Sequence, residues 1–264
     1  MRLNIFAGIE YLRYLSKSGS RHSVHSPFVY SLVDEVFKNK KGHPAFLLIK
    51  DRRNKLLSKS ELIEITDFGA NSKHGKYEHR FESVSHIVKK SSVSEKYGRV
   101  LFRLVEYFKP NRILEMGSSV GLSTMYLAMA MPDSQVYTVE GCTTKSAQAA
   151  SNFEILEIKN IVQSIGRFDI VLPDLIKEIQ KLDFAFIDGN HTYQATLSYF
   201  EMLLKISHND TVFVFDDIHW SAGMKKAWSE ITDNERVTVS IDLYRMGIVF
   251  LKKELSKQKF VIRL

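Results

Sequence analysis

The sequence predicts an α/β fold: a doubly wound, mostly parallel sheet of seven strands whose final pair is reversed, preceded by a helical N-terminal segment. Three observations predict it. From Arg112 onward, short apolar segments alternate with helix-compatible ones, the pattern of a parallel sheet covered on both faces. The last two segments, 236–242 and 247–252, are separated only by Leu243-Tyr-Arg-Met246, which leaves no room for a helix, so one of them runs antiparallel. Before Arg112 the periodicity is mostly helical.

Residues 4–17 place Ile5, Phe6, Ile9, Leu12 and Leu15 on one side of an amphipathic helix. Ser26-Pro27 reads as an N-cap with proline at the first helical position, opening a helix to about Phe37. The preceding Arg21-His22-Ser23-Val24-His25 is explained as a capping segment without catalysis. A third helix is expected over 45–65, with a break near Ser58. Residues 66–80 lack periodicity and read as an exposed, mobile loop. Helical pattern resumes over 83–90 and 96–108 and stops at Lys109-Pro110. Strands are expected at 112–116, 135–139, 160–165, 183–188, 211–216, 236–242 and 247–252, with helices between the first six. The tail, 259–264, adds an edge strand or packs on the helical segment.

A chain of 264 residues with 44% apolar and 11% aromatic content can bury a sizeable core. No apolar run approaches the ~20 residues needed to span a bilayer. The first residues mix charges with apolar side chains and show no small-residue cleavage site, so no secretory signal is expected. The single cysteine, Cys142, excludes an intramolecular disulfide and a multi-cysteine zinc site and fits a reducing, cytoplasmic setting. Residues 1–111 carry 21 Lys and Arg against 11 Asp and Glu, within an overall charge of +7. Such a segment would attract an anionic substrate, RNA or a membrane surface. Its positives are dispersed, however, with short clusters only at Lys40-Lys41, Arg52-Arg53 and Lys89-Lys90, and solvated helix faces account for them.

The chemistry concentrates at strand ends, where doubly wound sheets bind ligands. Arg112-Ile-Leu-Glu-Met-Gly-Ser-Ser-Val-Gly-Leu-Ser123 reads as strand, glycine turn and helix start. Gly117 and Gly121 let backbone approach a ligand, and the helix start offers unpaired N–H groups. The pattern E-x-G-x-x-x-G-x-S is longer between its glycines than the dinucleotide fingerprint G-x-G-x-x-G. A carboxylate beside the turn, Glu115, suits a cationic ligand rather than a pyrophosphate, and Glu140 at the next strand end could hold a ribose. After the third strand come Gly166, Phe168 and Asp169, placed to pack on an adenine and accept from its amine. The fourth strand ends in Asp188-Gly-Asn-His191 and the fifth in Asp216-Asp217-Ile-His-Trp220. Three crowded carboxylates repel unless a cation joins them, and hard oxygen ligands suit Mg²⁺. His191, three residues beyond Asp188, could take a substrate proton. His219 and Trp220 read as packing or pocket lining.

The glycine turn resembles motif I of the class I S-adenosylmethionine (SAM) dependent methyltransferases, whose Rossmann-like sheet has seven strands with a reversed final pair. Phe-Ile-Asp-Gly-Asn-His-Thr-Tyr, with Asp-Asp-x-x-Trp after the next strand, further resembles the metal-dependent small-molecule O-methyltransferases of the catechol and caffeoyl-coenzyme A type and of the antibiotic-sugar type. The resemblance covers roughly 97–252. It implies methyl transfer to a hydroxyl of a small-molecule acceptor, with SAM and Mg²⁺ as cofactors. It assigns the methionine part of SAM to Glu115, Gly117, Ser119 and Ser123, with Ser118, Gly121 and Gly166 also at the cofactor. Glu140 takes the ribose, and Phe168 and Asp169 the adenine. Asp188, Asp216 and Asp217 would hold the ion, Asp188 also facing the cofactor, and His191 would be the base. Asn190 stands where the sugar-type relatives usually carry another acid. Arg-His-x-Val-His-Ser-Pro-Phe is similar to a bacterial group that gives no substrate.

The organisation that follows is a helical cap or substrate segment, 1–96, and a SAM-binding catalytic domain, 97–264. The competing readings are an RNA methyltransferase using the basic N-terminal segment and a non-catalytic SAM-fold module. Asp-Gly-Asn-His differs from the Asn/Asp-Pro-Pro-Tyr/Phe of amino-directed base methylators, and Cys142 is far from where a C5-cytosine nucleophile belongs. The sequence leaves the oligomeric state open, a homodimer included.

Overall fold

The computed structural model describes residues 5–19, 25–68 and 78–264. In chain order the elements are α1 (Ile5–Lys17), α2 (Pro27–Leu32, continued by a π-helical turn Val33–Phe37), α3 (Pro44–Leu57), β1 (Leu62–Asp67), β2 (Glu78–Ser83), α4 (Val84–Ser91) and α5 (Glu95–Phe108). Then follow β3 (Arg112–Met116), α6 (Leu122–Ala130), β4 (Gln135–Glu140), α7 (Thr143–Ile155), β5 (Ile161–Ile165) and α8 (Phe168–Ile179). The chain ends with β6 (Leu182–Ile187), α9 (Tyr193–Leu204), β7 (Ser207–Phe215), α10 (Ala222–Asp233), β8 (Val239–Asp242), β9 (Gly247–Phe250) and β10 (Gln258–Val261). Among the described residues no helix is long and apolar enough to cross a membrane. The elements fall into two compact units, residues 40–180 and residues 1–39 with 181–264. The boundary expected at 96/97 falls inside the first of these.

In the 40–180 unit, β3, β4 and β5 are parallel neighbours in that order, in register from Arg112↔Gln135 and Val136↔Ile161. Helix α6 is apolar on all sides and buried from Leu122 to Ala128, as a helix inside a core must be. Serine caps start the flanking helices, Ser83 accepting from the His86 N–H and Ser94 from the Tyr97 N–H. The helix expected over 45–65 ends at Leu57, at the break expected near Ser58, and residues 62–65 are instead in strand β1, paired antiparallel with β2 from Leu62↔Ser83 to Asp67↔Glu78. That hairpin corrects the expectation of only helices before Arg112. Its strands pair across 69–77, residues outside those described, so no short-range turn signal announces it. Of the loop expected over 66–80, the first two residues and the last three lie in these strands.

In the other unit the strand order is β10-β8-β9-β7-β6. β9 runs antiparallel to both β7 and β8, which fulfils the expected reversal, and β10 is the edge strand expected of the tail, parallel to β8. These strands with β3, β4 and β5 number eight: the seven expected and the tail's edge strand. Phe200 packs edge-on against Phe213 at 5.2 Å and Phe215 at 5.8 Å, giving this unit an aromatic core. Ser26 caps α2 as predicted, accepting from the Val29 N–H with Pro27 at the first position. Residues 20–24, with Arg21 and His22, lie outside the described residues.

Helix α1 inverts the predicted stripe. Ile9 and Leu12 are 45% and 67% exposed, whereas Glu10 and Tyr14 are 2% and 7% exposed. The buried polar groups have partners: Lys225 and Arg13 lie 2.8 and 2.6 Å from the Glu10 carboxylate, and the Tyr14 hydroxyl donates to the Ile262 carbonyl at 2.6 Å. Paired charge can be buried where unpaired charge cannot, so electrostatics overrides the apolar period here.

Candidate active site

The glycine turn after β3 lies in the 40–180 unit. Gly117, Ser119 and Gly121 have φ of 103°, 48° and 84°. At Gly121 a Cβ would stand 2.5 Å from the Phe153 ring and 3.1 Å from Ala149 Cβ, so both conformation and space require glycine. The Gly117 N–H donates to the Val139 carbonyl at 2.8 Å and the Gly121 N–H to the Ser118 carbonyl at 2.7 Å. Glu140, at the end of β4, accepts from the Ser119 N–H at 2.8 Å and the Cys142 N–H at 2.9 Å, and so ties the turn to the neighbouring strand.

Glu115 is fully buried and accepts from the hydroxyls of Thr124 and Thr138, the latter at 2.7 Å. These contacts tie its carboxylate to α6 and to the neighbouring strand β4. Ser118 and Ser123 are buried, and the Ser118 hydroxyl has no hydrogen-bond partner among the described residues. Gly166, with φ of 147°, donates its N–H to the Glu140 carbonyl at 3.0 Å. Phe168 opens α8, and Asp169 sits in the fork of Arg167, with contacts of 2.9 and 2.6 Å. The Arg167 hydrogen bond, chief among its causes, holds the Asp169 carboxyl below the usual carboxylate range.

Asn152 escaped sequence reasoning. It is fully buried on α7, donates from Nδ2 to the Val120 carbonyl at 2.7 Å, and accepts at Oδ1 from Arg52 Nε at 2.7 Å and Gln148 Nε2 at 3.3 Å. It thereby braces the middle of the glycine turn. An asparagine inside an alanine-rich helix gives no motif by which to find it.

The other unit gathers the predicted acids and histidine. Asp188 follows β6, and His191 Nε2 lies 3.4 Å from its Oδ1. Between them Asn190 adopts φ of 48° and donates to the Tyr199 hydroxyl at 3.2 Å. Asp216 follows β7, is 1% exposed, and donates its N–H to the Ile187 carbonyl at 3.0 Å, which bonds the two strand ends. Asp217 beside it has φ of 53°. Arg245, from the β8–β9 turn, reaches both: Nη2 is 3.5 Å from Asp216 Oδ2 and Nε 3.2 Å from Asp217 Oδ1. His219 is turned away to Asp242 at 2.7 Å and stacks on Tyr244, as packing residues do, while Trp220 lies 5.9 Å from the His191 ring.

Burial, then the charges of Asp188 and Asp217, hold the Asp216 carboxyl well above the usual carboxylate range, with Arg245 and His191 acting against them. Burial likewise raises Asp217. Burial alone would lower the His191 pKa; the Asp188 hydrogen bond and the three nearby carboxylates outweigh it, and the pKa is raised.

The donor chemistry can be tested against a divalent ion. Hard oxygens are present, and the buried Asp216 Oδ1 has no hydrogen-bond partner among the described residues. Against this, no three His, Cys, Asp or Glu side chains among those residues come together to hold a metal ion. Arg245 already supplies positive charge to Asp216 and Asp217, and Asp188 is engaged with His191. The arrangement does not fit a resident ion.

Strands alternating with helices, and a glycine turn after the first of a run of parallel strands, make a Rossmann-like α/β fold. Residues 114–218 match the family model of a methyltransferase domain, Methyltransf_24. It is 30% identical over 130 residues to the catechol O-methyltransferase of Niastella koreensis, an alignment covering 48% of this chain and 58% of that protein. The chain thus spans little more than half the length of this curated relative. The O-methyltransferase TomG of Streptomyces achromogenes, solved with SAM, shares the fold with a TM-score of 0.58 at 20% identity over 85% of this chain and 95% of its own. The O-methyltransferase of Bacillus cereus, solved with SAH, does so with 0.57 at 20% identity over 83% and 94%.

Proposed function

We propose that the chain is a SAM-dependent methyltransferase that transfers the methyl group to a hydroxyl of a small molecule. The observation that carries this reading is the Gly117–Gly121 turn, held open by left-handed backbone and tied down by Glu140. The buried Ser118 hydroxyl and the Glu140 carboxylate offer polar partners to the amino-acid and ribose parts of SAM. Phe168 and Asp169 are assigned to the adenine. The names of the relatives support a hydroxyl acceptor of small size.

Methyl transfer is an in-line displacement, in which alignment and exclusion of water supply most of the rate. Neutral His191 takes the proton of the acceptor hydroxyl, and Asp188 stabilises the imidazolium that results. The oxygen lone pair forms the new bond to the methyl carbon as the carbon–sulfur bond breaks, its electrons going to the sulfonium. S-adenosylhomocysteine leaves as a neutral thioether. The Mg²⁺ implied by the resemblance has no part in this sequence of events, because its expected ligands are otherwise engaged.

Calorimetric titration with SAM tests the donor site, and radiolabelled methyl transfer to a panel of phenols and alcohols tests the reaction. Saturable binding and a methyl ether product are expected. A protein that binds no SAM contradicts the proposal.

A further inference from the structure

We infer that Arg245 is the built-in cation of the acidic pocket, holding Asp216 and Asp217 where a divalent ion would otherwise be needed, so that the chain works without metal. Three carboxylates, Asp188, Asp216 and Asp217, share this part of one unit with His191 and the permanently charged Arg245. They divide into pairs: His191 with Asp188 at 3.4 Å, and Arg245 with Asp216 and Asp217 at 3.5 and 3.2 Å. The guanidinium suits adjacent carboxylates because its charge is permanent.

The backbone that carries Arg245 is fastened to the backbone that carries the acids. The Ile218 N–H, one residue beyond Asp217, donates to the Arg245 carbonyl at 3.3 Å. The turn itself is closed by the Leu243 N–H on the Met246 carbonyl at 2.8 Å, and Asp242 Oδ1 accepts from the Tyr244 N–H at 2.7 Å. Tyr244 has φ of 72° and Asp217 φ of 53°, so both loops hold left-handed conformations that bring these side chains together. Magnesium demands near-octahedral oxygens at about 2.0–2.1 Å. A guanidinium against two of its expected ligands blocks that geometry. The consequence for catalysis is specific: with no Lewis acid to acidify the acceptor, the proton must go to His191, and Arg245 acts as a positioning residue for the acids around it.

Manganese serves as the probe. Chelator-treated full-length protein is titrated with Mn²⁺, and free ion is followed by electron paramagnetic resonance. Wild type is expected to take up no ion at millimolar concentration. Arg245→Ala should open the pair and bind one Mn²⁺, while Arg245→Lys, keeping the charge, should bind none. Stoichiometric binding by wild type that disappears in Asp216→Asn overturns the inference, as does a folded Arg245→Ala protein that binds nothing. The catalytic arm rests on the methyl-transfer reading: wild-type turnover should be equal in excess chelator and in excess Mg²⁺, and Mg²⁺-dependent turnover overturns the inference. If no acceptor is methylated under either condition, the methyl-transfer reading fails, and the manganese titration alone decides the role of Arg245.

Discussion

Replacing Asn152 by leucine, a side chain of similar size without polar atoms, tests whether the glycine turn depends on its brace. The substitution strips a donor from the Val120 carbonyl and an acceptor from Arg52 Nε, and both partners are held in buried surroundings. A buried polar group left without its hydrogen bond costs about 1–3 kcal/mol, more where the group is charged, as Arg52 is. Two such groups give about 3–5 kcal/mol of lost stability, a large share of the roughly 5–15 kcal/mol typical of a folded domain. Urea unfolding monitored by circular dichroism measures the loss, and SAM titration of the folded variant measures its transmission to the turn. Asn152→Asp keeps the acceptor and adds charge opposite Arg52, so it should lose far less stability while still releasing the Val120 carbonyl. A loss below about 1 kcal/mol for Asn152→Leu would mean that solvent or neighbouring groups replace both bonds, and the brace argument would be wrong.

Gly121→Ala should destabilise by about 2–4 kcal/mol, combining a left-handed backbone penalty with crowding against Phe153, and unfolding midpoints will show it. Glu140→Ala should weaken SAM binding at least about tenfold by calorimetry, since it removes both the ribose partner and the tie to the Ser119 N–H, and unchanged affinity would dismiss that assignment. Turnover should rise with pH as His191 loses its proton, because only the neutral imidazole accepts one, and the rise should centre above the ordinary histidine pKa of about 6.5. Asp188→Asn, which takes away the hydrogen bond and charge that raise this pKa, should move the limb of kcat/KM to lower pH; a limb that stays put rules out His191 as the titrating base.

The parallel strands were legible because each is a short apolar run bounded by a turn, and their acids could be placed at the ends by counting. Arg245 was not, since it stands on a turn that sequence places between β8 and β9 but not next to Asp216. The β1–β2 hairpin was hidden for the same reason: its pairing is non-local, and Leu62-Ile-Glu-Ile-Thr-Asp can be continued from a helix without breaking any period. Helix α1 shows a different failure. Periodicity counts apolar residues, whereas the buried face is chosen by whether Glu10 finds Lys225 and Arg13.

Backbone strain separates structural turns from chemical ones in this chain. Among the described residues, seven non-glycine positions have positive φ. Lys109, Glu157 and Gln180 end helices, where a left-handed residue satisfies the last carbonyls. Ser119, Asn190, Asp217 and Tyr244 end no helix, and each costs on the order of 1–3 kcal/mol to hold. All four stand in loops that follow strands: Ser119 in the glycine turn, Asn190 between Asp188 and His191, Asp217 beside Asp216, and Tyr244 next to Arg245. In each unit the fold spends stability to aim polar groups that packing alone would leave elsewhere. Relaxing Asn190 to glycine should therefore stabilise the loop while loosening the hydrogen bond between Asp188 and His191, and a variant more stable yet slower at fixed SAM saturation is the outcome this argument requires.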